Sequence, residues 1–159
     1  MQRRNFVSAT GALGALLLGS DPVAATDTNR SAQQDLCARP APKTKTVLHL
    51  SSGDSTAQKG ALMNAKNLLE DETVPVKDLV VLANGKGVQL YTPPTDENEF
   101  ADLVASLQDR GVTFRACGNA MDMLGLTKED LLSGVERVPS GVGELARLQA
   151  LDYGYIKVP

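Results

Sequence analysis

Cys117 stands in the stretch VTFRACGNAMDML (112–124), between a short apolar run and a segment with helical spacing. It is one of only two cysteines in the 159 residues. A thiol at the start of a helix meets free backbone N–H groups and the positive end of the helix dipole. Both favour thiolate, the nucleophilic form. Arg115, two residues earlier, falls on the same face of the strand and would add positive charge. Gly118 would let a ligand approach the backbone closely, and Asn119 offers both a donor and an acceptor. The competing reading is structural, because free cysteine often serves as a small core residue.

His49 is the only histidine. It lies inside an apolar run, two residues before the turn-forming loop SSGDST (51–56), which contains Ser52. Beside Cys117 and oriented by a third group, it could act as the base of a Cys/His pair or as a proton shuttle. No orienting acid is visible near it, and a histidine alone reads more simply as a packed strand residue. One histidine and one cysteine in the domain fall short of a zinc ligand set, so no metal is expected. NGKG (84–87) is a turn and lacks phosphate-loop spacing. SGVGEL (140–145) opens a helix, which could bind an anion or simply cap and pack closely. No cofactor is expected.

The elements that must position these residues alternate. TVLHL (46–50) reads as a strand. Ala61, Leu62, Ala65, Leu68 and Leu69 form the apolar face of a helix, with Ser55 as its N-cap and Gln58 completing a capping box. Leu79 to Leu82 is a strand buried on both faces. A helix over 95–111 carries Phe100, Leu103, Val104 and Leu107 and stops at Gly111. VTFRAC (112–117) is the third strand. Short helices follow in NAMDMLGL and TKEDLLSG, then a strand in VERVP (135–139), a helix over 140–154 and a last strand in YIKV (155–158). The alternation predicts an α/β fold: a three-layer α/β/α sandwich around a five-stranded parallel sheet. The commonest arrangement is the flavodoxin-like order 2-1-3-4-5. Ligands would then bind where strand order reverses, between strands 1 and 3, where the 51–56 loop and Cys117 meet.

The first 25 residues are set apart from the fold. Arg3 and Arg4 precede Asn5 and Phe6, an apolar run reaches Leu18, and Val23-Ala24-Ala25 has the spacing of a cleavage site. This pattern predicts a twin-arginine signal peptide and an exported, periplasmic or extracellular protein. The apolar run is too short to span a bilayer, so the only membrane contact expected is an uncleaved signal anchor. Residues 26–44 read as a flexible arm, and the domain occupies 45–159. Cleavage after Ala25 removes two arginines and one aspartate from a chain of net charge −3, leaving −4. That balance argues against a nucleic-acid partner. Cys37 lies in the arm, and nothing in the local pattern fixes it beside Cys117 for a disulfide.

VLHLSSGDSTAQKGALMNAKNLL, VVLANGKGVQLY, V-x-F-x-A-C-x-N-x-M (112–121) and P-S-G-V-x-E-L-x-x-L-Q-x-x-x-Y-x-Y-I (139–156) together resemble the DsrE/DsrF-like family, in its small stand-alone branch. The resemblance spans about residues 45–159. It implies an α/β/α sandwich assembled as a homo-oligomer, with Cys117 in the position of a persulfide-carrying cysteine. It also implies that His49 and Asn64 face a pocket. The leading expectation is an exported sulfur carrier, or binder of a small thiol-reactive ligand, acting through Cys117. The alternative is a non-catalytic, homo-oligomeric module whose pocket holds a small anion or nucleotide-like ligand.

Overall fold

The structure is a computed structural model that describes residues 42–158 apart from residues 94 and 96. The signal segment, Cys37 and the arm through residue 41 lie outside the described residues. In chain order the elements are β1 (Thr44–Leu50), α1 (Ser55–Glu70), β2 (Val76–Ala83), a 3-10 segment (Gly85–Tyr91), α2 (Ala101–Asp109), β3 (Val112–Cys117), α3 (Gly118–Leu124), a short 3-10 turn (Lys128–Asp130), β4 (Glu136–Val138), α4 (Gly141–Ala150) and β5 (Gly154–Lys157). The expected TKEDLLSG helix is only that three-residue turn, closed by a capping box between Thr127 and Asp130. The second helix starts six residues later than expected. Asn98 diverts the chain before it, donating to Leu90 O and accepting from the Phe100 amide. Asp54, not Ser55, caps α1 by accepting from the Ala57 amide.

All five strands are parallel, as expected, but their order is β4-β3-β2-β1-β5. The expected order 2-1-3-4-5 is therefore corrected to 4-3-2-1-5, still a doubly wound sheet of flavodoxin-like type. The physical content of the difference lies in the crossovers. β1 to β4 step in one direction across the sheet, so their connecting helices share one face. β5 then returns to the free side of β1, which places α4 alone on the other face. The switch point lies between β1 and β5 rather than between β1 and β3, where β2 intervenes.

Two cores of unequal size follow. The larger holds Leu48, Leu50, Val81 and Phe114 from the sheet against Ala61, Leu62 and Ala65 of α1, Val104 and Leu107 of α2, and Met121 of α3. Tyr91 is buried within it, donates its hydroxyl to Val81 O and meets Phe114 edge to face. The smaller core packs Val47, Val80, Leu82 and Val138 against Leu145 and Leu148 of α4. No helix among the described residues is long and apolar enough to cross a membrane.

An ion-pair cluster holds α4 to the sheet. Arg115 on β3 contacts Glu136 at 2.9 Å and Glu144 at 2.5 Å, and Glu144 also binds Arg147 at 2.7 Å. Glu144 is 9% exposed. The Arg147 hydrogen bonds foremost, with both guanidinium charges, hold its carboxyl below the usual 4.5 against the opposing effect of burial. A carboxyl so depressed stabilises the fold above its unfolded-state value and loses that contribution as pH falls through its native value. Glu144→Gln is therefore expected to lower stability at pH 7 by about 1–2 kcal/mol in urea unfolding. The difference from the parent chain should shrink below about pH 4.5. An equal difference at pH 7 and pH 3 would contradict this role.

Candidate functional site

His49, Leu82, Arg115 and Glu136 are register partners across four strands. Partners in a parallel sheet share a face, and Leu82 and Arg115 mark it as the face that carries α4. Asn84 and Cys117 follow the Ala83–Ala116 pair, so they come next on this face, side by side at the carboxyl ends of β2 and β3. Cys117 pairs with Val138 on its other side. His49 and Cys117 are thus two strands apart with Asn84 between their lines. The expectation that they occupy neighbouring strands is corrected, and with it the basis for a direct Cys/His catalytic pair.

The N-terminus of α4 closes over this row. Ser140 caps the helix through its hydroxyl, which accepts from the Gly143 amide at 3.2 Å. The amide of Gly141, first residue of the helix, donates to Cys117 Sγ at 3.1 Å. The thiol therefore meets a helix N-terminus, but that of α4 rather than that of α3. Cys117 is the N-cap of α3 and makes no side-chain capping bond there. Gly141 keeps this approach close. A Cβ there would sit 3.0 Å from Cys117 Cβ, 3.3 Å from its Sγ and 3.1 Å from Asn84 Cβ. Cys117 is a free cysteine, 6% exposed.

His49 is half-buried. Its Nδ1 lies 2.9 Å from the Tyr155 hydroxyl of β5. Its Nε2 and Asn84 Oδ1 are both buried, and neither has a partner of good hydrogen-bond geometry. Burial foremost lowers the imidazole below its ordinary 6.5, the Asn84 side chain opposes this, and the Lys157 charge lowers it further. The balance favours the neutral ring. The Lys157 ammonium is itself anchored on Ser51 Oγ at 2.8 Å and Val158 O at 3.0 Å.

The other sequence-derived positions lie around this row or away from it. Arg115 is on the same face as Cys117 and bound to Glu136 and Glu144. Gly118 is buried beneath Arg137, whose guanidinium would lie 2.9 Å from a Cβ there; the glycine makes room for that side chain. Arg137 in turn binds Asp122. Asn119 is exposed on α3. Ser52 accepts from the Asp54 amide in the loop before α1. Asn64 is exposed on α1, which packs on the face of the sheet opposite His49. Asn84, Gly141, Tyr155 and Lys157 complete the cluster and were not singled out from sequence. Asn84 was hidden in the NGKG turn, and Gly141 in a segment that reads equally well as a simple cap. Among the described residues no three His, Cys, Asp or Glu side chains converge to hold a metal ion.

This architecture has known counterparts. The chain is similar to a protein of unknown function, MTH1491 from Methanobacterium thermoautotrophicum, at 32% identity and a TM-score of 0.65, over 72% of this chain and 99% of that one. It shares its fold with the ychN protein from E. coli at 19% identity and a TM-score of 0.57, over 72% and 98% of the two chains. Comparison with curated proteins gave no match. Residues 45–158, the whole of the two-core domain, match the DsrE/DsrF-like family. The chain belongs to the DsrE/DsrF-like family.

Proposed function

We propose that this chain is an exported sulfur carrier in which Cys117 holds a sulfane sulfur as a persulfide. The observation that carries the reading is the Gly141 amide aimed at Cys117 Sγ. A backbone donor at a helix N-terminus stabilises negative charge on sulfur, most directly on a Cys117 thiolate, whose charge sits on Sγ itself. The family suggests sulfur-relay work. Export rests on the paired arginines and apolar run of residues 1–25.

The chemistry balances without an external oxidant. The Cys117 thiolate attacks the terminal sulfur of a donor persulfide, R–S–SH. One S–S bond breaks as another forms, R–S⁻ leaves, and the hydrogen stays on the transferred sulfur. An acceptor thiolate later takes that sulfur by the same exchange. With Cys117 only 6% exposed, the donor is a small persulfide or polysulfide rather than a rigid protein surface. Arg115 acts by holding Glu144, and so α4, in place. The exposed apolar side chains Val142 and Leu151 on α4 and Ile156 on the edge strand β5 support assembly with further copies of the chain.

A second reading has one observation in its favour. The same burial suits a packing cysteine in a non-catalytic module whose pocket takes a small anion or nucleotide-like ligand. Exposure to polysulfide followed by intact-mass analysis separates the two. The carrier reading expects one added sulfur in the Cys37→Ser chain and none in Cys117→Ala with Cys37→Ser. Equal loading of both, or none of either, would sink it. Gly141→Ala loosens the approach of α4 to the row, because its Cβ would meet Cys117 and Asn84 at 3.0–3.1 Å and they must give by a few tenths of an ångström. Loading there should slow about tenfold, the weight of one charge-assisted hydrogen bond. An unchanged rate would show that the amide does not matter.

A further inference from the structure

A pocket of about 170 Å³ opens between the first turn of α1, the end of the 3-10 segment and the approach to α2. Gln58, Gln89, Thr92, Glu97, Asn98 and Glu99 supply its polar lining. The α1 helix packs over the larger core, on the face of the sheet opposite α4. The pocket therefore shares no residue with the row around Cys117.

Two of the lining residues are buried amides, and they differ in one respect. Asn98, 6% exposed, uses both ends of its side chain. Its Nδ2 donates to Leu90 O at 3.1 Å and to Pro93 O at 3.4 Å, and its Oδ1 accepts from the Phe100 amide at 2.9 Å. Gln58 is 5% exposed, and its Nε2 has no acceptor. Because Asp54 rather than Ser55 caps α1, Gln58 falls one position past the capping-box place and has no part in the cap. A buried donor left unmatched costs the desolvation of that group with nothing in return. Such a group needs an acceptor from outside the chain, and the pocket that Gln58 lines is where one can sit.

The charge of the lining describes the rest of the ligand. Glu97 and Glu99 are exposed, and neither forms a salt bridge among the described residues. No lysine, arginine or histidine among the described residues lines the pocket. Two carboxylates attract a cation and disfavour a carboxylate or phosphate as the missing acceptor. Thr92 gives its hydroxyl proton to Gln89 O at 3.3 Å, which leaves that oxygen able to accept.

We infer that this pocket binds a small organic ammonium that carries a neutral acceptor, a hydroxyl or carbonyl oxygen, a few bonds from the charge. The ammonium meets Glu97 and Glu99, and the neutral oxygen accepts from Gln58 Nε2. Solvent alone would fill the same volume with about five waters at ~30 Å³ each. The ligand bridges α1 to the segment before α2. The site makes no use of Cys117, so it stands whether or not the thiol carries sulfur.

The probe is ethanolamine, which has both groups. The controls are ethylammonium, which lacks the oxygen, and ethylene glycol, which lacks the charge. Each is titrated into the full chain while the Gln58 side-chain amide is followed by proton–nitrogen NMR. Ethanolamine is expected to shift that NH2 pair saturably, with half-saturation in the millimolar range. Each control should bind about tenfold more weakly. The double variant Glu97→Gln, Glu99→Gln alters only exposed side chains and should lose about tenfold in ethanolamine affinity. No saturable shift, or a control that binds as tightly as ethanolamine, would mean that water satisfies Gln58 and would overturn the inference. An unchanged ethanolamine affinity in the double variant would overturn it too.

Discussion

The hydrogen bond from the Gly141 amide to Cys117 Sγ joins the two halves of this structure. It ties the carboxyl end of a central strand to the start of the single helix on the smaller face. Several constraints meet there. Position 141 fits best without a side chain, because Cys117 and Asn84 crowd the space a Cβ would take. The helix must be held at its first turn, which Glu144 does through Arg115. It must also pack further along, which Leu145 and Leu148 do on Val47, Val80 and Leu82. A buried thiol with no polar neighbour would be inert; this one is placed where backbone dipoles converge.

The strand order explains why only one helix is available for that task. Three successive crossovers in one direction place α1, α2 and α3 together over the larger core. The return of β5 past β1 leaves α4 to cover the other face alone. On that face Tyr155 of the β5 edge strand stays partly exposed. The same return brings Tyr155 and Lys157 alongside His49. Without β5 on that side the imidazole would have no partner for Nδ1 and would lose the smaller of the two influences, burial being the larger, that lower its pKa.

The fold class was legible because alternation of period-2 and period-3.6 segments is a local signal, and Cys117 was legible because its strand, 112–117, is bounded by Gly111 and the start of a helix. Strand order is not local. It depends on which side of β1 the last strand takes, and the short, exposed segment Gly154–Lys157 carries little pattern to decide that. Expecting β3 beside β1, where β2 in fact lies, moved the switch point and made His49 look adjacent to Cys117. Asn84 and Tyr155 were illegible for the same reason: each has a meaning only once three strands are laid in order. Asn64 shows the converse, since its position on α1 says nothing about which face of the sheet that helix covers. The TKEDLLSG segment starts as a helix at the Thr127–Asp130 capping box but stops after three residues, because Leu131 turns extended and the Leu132 amide donates to Tyr91 O instead of continuing the helix.

The measurement that bears most directly on this account is the amide resonance of Gly141 as Cys117 gains sulfur. In the full chain carrying Cys37→Ser, the Gly141 proton should lie at low field. On polysulfide treatment it should move more than any other backbone amide, because its acceptor Sγ becomes the inner sulfur of a persulfide. A Gly141 resonance at an ordinary position, unmoved while sulfur loads elsewhere or not at all, would contradict the claim that α4 holds its first amide on a working thiol.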